Sequence, residues 1–322
     1  MSAEVAVFPR SRETLQEAFG KALVSLAGEF PKLVVLDSGS PADTGSRSFR
    51  HAHGERSLQF GAAPQNMLAA ASGLAAVGML PVATGLAANW LRAIEQARFS
   101  IAYAGRNVKI VGSRAGVDAG SDGAPVQALE DIAAFRAIPG MTVISPADSV
   151  EMTRAARAML EFDGPVYLRA GRSPSAPVFD ETHTFAIGRG EIVRNGTDVT
   201  IVACGIELSR ALEAAAILAA ENIDARVVNM ATIKPIDTKL LARCADVTGA
   251  IVTAEDHNVV GGLGGAVAEA LARTMPCPIE CVGIQDTFGT CGEAQELAAH
   301  FGIAASDIAA AAKRAIARKI AR

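Results

Sequence analysis

The chain has 322 residues, half of them hydrophobic and a fifth charged, with a formal net charge of −4. That length suits two domains with a sizeable core, and the acidic balance leaves no footprint for nucleic acid. No apolar run reaches the length of a membrane span and no signal-peptide pattern opens the chain, so a cytoplasmic protein is expected. The five cysteines form no CxxC pair and no zinc-spaced set, and read as buried, reduced thiols.

In chain order, a short apolar run, a glycine-bearing loop and an alanine-rich helix recur. KLVVLD (32–37) predicts a buried strand ending in Asp37. A helix over 64–79 opens on Pro64, which suits the first helical position because its missing N–H would be unpaired there anyway. Strand 80–85, helix 88–103 and strand 107–113 follow. After Arg114 comes a glycine-rich loop, 115–125, carrying Asp118 and Asp122. Helix 126–137, strand 141–145, helix 147–161 and strand 165–169 complete the first series, with Arg169 at the strand end and Arg172 just beyond. Continuous β-branched runs alternating with helices predict a parallel sheet covered on both faces.

A Pro-, Ser- and Gly-rich stretch then breaks the rhythm and reads as a linker. Strands 198–205, 225–230, 249–256 and 278–284 alternate with helices 206–220, 237–243 and 262–274. A basic amphipathic helix closes the chain. The fold class is therefore α/β, with two parallel-sheet domains whose ligands are expected beyond the carboxyl ends of the strands.

Several motifs allow more than one reading. VVGGLGGAVAEAL (259–271) is either a phosphate cradle at a helix N-terminus or a close-packing glycine turn. Glu255, Asp256 and His257 precede it, as an acid–base group or as part of a turn. Arg114, Asp122 and Arg169 are candidates for gripping an anion or a hydroxyl. His51 and His53 form an H-x-H with no partnering acid or cysteine at metal spacing, so no metal site is expected.

Taken together, GAAPQNMLAAASGLA, AIEQARFSIAYAGRNVKIVGS, GSDGAPVQALEDIAAFRAIPGMTVISPAD, NMATIKPID and AEDHNVVGGLGGAVAEAL resemble the transketolase family, in order and over nearly the whole chain. The resemblance is to the C-terminal half, as found in the small subunit of split transketolases. It implies a pyrimidine-binding domain at 12–172, a linker at 173–189 and a C-terminal domain at 190–322. It also implies thiamine diphosphate and ketol transfer between sugar phosphates. The Mg²⁺–diphosphate half, with its GDG…N motif, is absent from this sequence, so a larger partner subunit is implied. Self-association as a homodimer is expected of the isolated chain.

Against that pattern, the chain departs at the chemistry. Pro64 stands where the family places the glutamate that activates the cofactor. Gly85 and Ala88 stand near the expected pyrimidine-covering aromatics, with Trp90 close but out of register. Val126 stands at the family's substrate histidine and Arg114 at a second one. Gly61, Gln65, Asn66, Asp122, Gln127, Glu130 and Arg169 match. The resemblance thus implies Gln65, Gly85 and Ala88 on the cofactor side and Arg114, Asp122 and Arg169 toward an anionic, sugar-like substrate. A non-catalytic scaffold and a thiamine-independent cleft are the alternatives, the latter with no cofactor.

Overall fold

The computed structural model describes residues 13–319. The outermost ends of the two expected domains, residue 12 and residues 320–322, lie outside the described residues. Twelve strands are described: β1 (Leu33–Asp37), β2 (Ser57–Gln59), β3 (Leu80–Leu86), β4 (Lys109–Ser113), β5 (Thr142–Ile144), β6 (Val166–Arg169), β7 (Glu191–Arg194), β8 (Val199–Ala203), β9 (Ala225–Asn229), β10 (Thr232–Lys234), β11 (Ile251–Asn258) and β12 (Ile279–Ile284). They form two sheets, ordered β10-β5-β6-β4-β3-β1-β2 and β12-β11-β8-β9-β7. All pairings are parallel except β10 with β5 and β7 with β9.

Strands β1, β4, β5, β6, β8 and most of β11 are buried along their whole length, as strands covered by helices on both faces must be. Their apolar side chains pack with Leu15–Leu26, Pro64–Ala76, Ser149–Glu161 and Glu207–Ala220 into three main clusters. One cluster joins residues of both sheets, from Leu36 and Tyr167 to Val228 and Leu263. The domains are therefore not two beads on a string. β10, from the second half of the sequence, closes the edge of the first sheet by pairing with β5. That exchange is invisible to local periodicity, since the run reads only as the tail of strand 225–230.

Other departures have local causes. The helix Leu15–Leu26 carries a capping box, Thr14 with Glu17, a signature that apolar runs alone pass over. The expected helix 126–137 begins only at Asp131, because residues 126–130 are held in loop conformation. There Gly116 N–H donates to Ala128 O, and Asn258 N–H donates to Leu129 O. The expected helix 88–103 changes hydrogen-bond register along its length and ends in a π-helical segment, Ala97–Tyr103. The H-x-H segment is a short helix, Arg47–Ala52, with His51 exposed, and no group of three His, Cys, Asp or Glu residues fit to hold a metal exists among the described residues.

The expectation of uniformly buried thiols is corrected. Cys204 and Cys244 are buried, but Cys281 lies on edge strand β12 and Cys291 on a surface loop, and both are exposed. All five are free. Among the described residues, no helix is long and apolar enough to cross a membrane.

Candidate active-site cleft

The carboxyl ends of β1, β3, β4 and β6 converge with the loops that follow them. The helix Pro64–Ala76 begins beside this edge. Its cap residue Ala63 offers no side-chain acceptor and its first turn holds no acid. Pro64 is buried and starts the helix as its fixed φ allows, while Gln65 and Asn66 are exposed.

Gly85, near the end of β3, is buried against Trp90. A Cβ there would sit 2.8 Å from both Ser38 Oγ and Trp90 Cζ2. Trp90 is fully buried and its indole N–H donates to Val111 O at 3.0 Å. It is thus a core anchor beneath the strand end and offers no ring face to a ligand. Ala88 is half-buried among Ala87, Ala115 and Ala128. Ser38 Oγ, 1 % exposed, has no hydrogen-bond partner.

The loop after β1 is fixed from within. Buried Asp37 accepts hydrogen bonds from Gly39 N–H at 2.6 Å, Thr44 Oγ1 at 2.5 Å and Ser46 Oγ. This places Asp43 opposite Arg114, which follows β4 at a φ of 54°. Arg114 NH2 meets Asp43 Oδ1 at 2.5 Å and NH1 pairs with Asp122. The structure therefore brings Arg114 and Asp122 together, and adds Asp43, which no motif in the sequence singles out. Val126 is half-buried on the same loop, just past Asp122.

Arg169 lies elsewhere in the network. It is 5 % exposed, and its guanidinium donates to Asp131 Oδ2 (2.8 Å), Ala128 O (3.2 Å) and Asp256 O (2.7 Å). Asp131 also accepts from Tyr167 Oη at 2.6 Å. Burial opposes the Asp131 carboxylate, but Arg169 and these hydrogen bonds outweigh it and hold its pKa low. Arg169 thus joins β6 to β11 across the domain seam.

The polar run before the glycine turn is part of the same seam. Asp256 accepts from Val117 and Asp118 N–H groups at 2.9 and 3.1 Å, pinning the glycine-rich loop. Gly116, with φ 80°, is required there, since a Cβ would overlap the Asp256 carboxylate. Glu255 accepts from Leu263 and Gly264 N–H groups at 2.6 and 2.8 Å. The helix Leu263–Ala272 is therefore capped by its own chain's carboxyl group, and the phosphate-cradle reading of VVGGLGG gives way to packing. Burial pushes Glu255 up to about 7 against those two N–H groups. Burial pushes His257 down to about 4, leaving a neutral ring. Its Nδ1 donates to Asn258 O (2.6 Å) and its Nε2 accepts from Ala133 N–H (3.3 Å). With all three side chains engaged in the seam, none is presented to a substrate.

Two parallel-dominated sheets joined along this seam define the class of two-domain α/β proteins. The particular family follows from comparison. Residues 12–176 match the family profile "Transketolase, pyrimidine binding domain", and 188–308 match "Transketolase, C-terminal domain". The chain belongs to the transketolase family.

It is 39 % identical, over 95 % of both chains, to the 6-deoxy-6-sulfo-D-fructose transketolase subunit SqwH of a Clostridium species. It is 32 % identical to one of the subunits of an apulose-4-phosphate transketolase from Phocaeicola vulgatus, over 89 % of this chain and 93 % of that one. Among solved structures it is similar to a split-gene transketolase described as an inactive beta4 tetramer. There the TM-score is 0.89 and the identity 45 %, over 95 % of this chain and 99 % of that chain.

Thiamine diphosphate, which the family implies, is not matched by the pyrimidine-side residues present here. Pro64 has no group to exchange a proton with a ring nitrogen, and neither Gly85 nor Ala88 offers a stacking face. The buried, unpartnered Ser38 hydroxyl is the nearest polar group at that strand end.

Proposed function

We propose that this chain is the small subunit of a split transketolase-type enzyme. It would act with a larger subunit in ketol transfer or related carbon–carbon chemistry on a sugar-like substrate. One observation carries the reading: 39 % identity to a split-transketolase subunit along 95 % of both chains. In this reading Mg²⁺ and the diphosphate of thiamine diphosphate rest on the partner. This chain supplies the sheet edge, the glycine-rich loop and the Arg114–Asp122 pair. Gln65 is the exposed side chain nearest the family's cofactor-facing position. The substrate proposed is anionic and sugar-like, as it is in the names of the related sulfo-fructose and apulose-phosphate transketolase subunits. The isolated chain is proposed to self-associate, with a dimer as the building block, and to be inactive alone. The similar inactive beta4 assembly supports this.

The test is calorimetric titration of thiamine diphosphate and Mg²⁺ into the co-purified pair of subunits. Saturable binding with ketol transfer supports the reading, and no binding sinks it. A second reading, a non-catalytic scaffold that regulates a partner, draws on the joint change at Pro64, Gly85, Ala88 and Val126. It predicts a stable pair that neither binds the cofactor nor turns over sugars.

A further inference from the structure

A histidine pins the segment that runs between the two domains. The His183 side chain is 5 % exposed, and its ring stacks on Phe179 with centroids 3.8 Å apart. Both ring nitrogens face carboxylates. Nε2 lies 3.6 Å from Glu151 Oε1 on the helix Ser149–Glu161, and Nδ1 lies 3.3 Å from Glu191 Oε2 on β7. A neutral imidazole has one N–H and presents a lone pair at its other nitrogen. One of the two carboxylates would then face that lone pair, so only the imidazolium suits both neighbours.

Glu151 depends on that cation. It is buried, and it accepts from Ala147 N–H at 2.7 Å and from Asn229 Nδ2, on β9, at 2.6 Å. Among the described residues no other cationic side chain lies within ion-pair distance of it. The remaining charged groups around the ring add no second cation for Glu151. Asp148, at the head of the same helix, accepts from Val178 and Phe179 N–H groups at 2.7 and 2.8 Å and so fastens the same segment. Asp180 caps its own turn through Thr182 N–H at 2.8 Å. Arg154 is turned to Glu181, meeting its carbonyl at 2.7 Å and its carboxylate at 3.2 Å. A buried carboxylate that loses its one cation is strongly destabilising.

We propose that His183 is a proton-operated latch: its imidazolium holds the segment around 178–183 between the helix Ser149–Glu161 and β7, and the neutral ring releases it. Burial disfavours the charged ring, but Glu151, Glu191 and Asp148 outweigh it and raise its pKa. The latch is therefore fully closed below the ordinary histidine range and opens as pH climbs through the raised value. Release is confined to the segment, because β10 and the shared apolar cluster still join the two sheets.

Hydrogen exchange of the full chain, read by mass spectrometry and corrected for the intrinsic effect of pH, tests the latch. Peptides covering 176–187 should lose protection by at least about tenfold between about pH 5.5 and about pH 8.5, while β8 peptides keep theirs. His183→Gln, uncharged at every pH, should show the released level throughout. Glu151→Gln removes the buried charge that calls for the proton, so its segment should stay protected across the range. Equal protection of the unaltered chain at both ends of the range overturns the proposal. So does an undiminished pH-dependent drop in either variant. Should a variant fail to fold, as unprotected β8 peptides would reveal, the NMR titration of His183 in the unaltered chain decides. A midpoint above the ordinary value of about 6.5 supports the latch, and one at or below it overturns it.

Discussion

The sheet edge and the domain seam meet in the sequence only between Val126 and Asp131, and they are built oppositely. The edge carries Pro64, Gly85, Ala88 and Val126, none of which has a titratable group. At the seam, Asp131, Arg169, Glu255, Asp256 and His257 are all buried and nearly all paired. Buried charge is retained only where partners are close, since an orphaned charge in a dry site is severely destabilising. The seam thus holds the charges that position the loops, while the edge residues Pro64, Gly85, Ala88 and Val126 hold none.

The largest expected effect comes from breaking the seam. Arg169→Met leaves the Asp131 carboxylate and the Ala128 and Asp256 carbonyls buried without their shared donor. A loss of about 3–5 kcal/mol in urea unfolding is expected. A loss below ~1 kcal/mol would show that water already reaches the seam.

Acidity gives a second way in. Burial pushes Glu207 up to about 7 despite its ion pair with Arg210, as it does Glu255. These carboxyls hold protons in the fold that the unfolded chain releases near 4.5. Their contribution is thus complete below about pH 4.5 and is lost as pH rises through about 7. His183 acts in the same direction. Burial disfavours its charged form, but Glu151 at 3.6 Å and Glu191 at 3.3 Å outweigh it and raise its pKa. Its stabilisation is present below the ordinary histidine range and fades as pH climbs past its raised value. His257 and Lys109, whose pKa values burial pulls down to about 4 and about 7, act in the opposite direction over the same window. Glu207→Gln, which takes one carboxyl out of the balance, should therefore raise the thermal midpoint at about pH 8 relative to about pH 5.5 compared with the unaltered chain, and an unchanged difference would contradict the role given to Glu207.

The edge offers smaller effects. Pro64→Glu places a carboxyl group at the head of the helix. If the pocket has merely lost its acid, thiamine diphosphate should bind the subunit pair about tenfold tighter, near the worth of one charge-assisted hydrogen bond. No gain in titration points to a pocket reshaped at Gly85 and Ala88 as well. The smallest change is Trp90→Phe, which removes the hydrogen bond to Val111 O beneath the strand end. About 1–2 kcal/mol of stability should be lost with cofactor and sugar affinities unmoved. A change in cofactor affinity would mean that Trp90 reaches the ligand after all.

Local pattern determined most of the architecture, because strand and helix periods are written in neighbouring residues. The buried runs KLVVLD and NVKIVGS, the proline-started helix and the parallel sheets all follow from spacing and side-chain type. The expectation of altered chemistry at Pro64, Gly85, Ala88 and Val126 likewise comes from the family pattern alone. Long-range contact decided the rest. The pairing of β10 with β5 depends on residues about 90 positions apart that no local period connects. Arg114 and Arg169 look alike in sequence, each an arginine at a strand end. Only the fold sets one in a half-buried cleft between Asp43 and Asp122, and the other in a dry seam on Asp131. An arginine's role follows from which carboxylates reach it and how much water remains, and both are properties of the assembled surfaces.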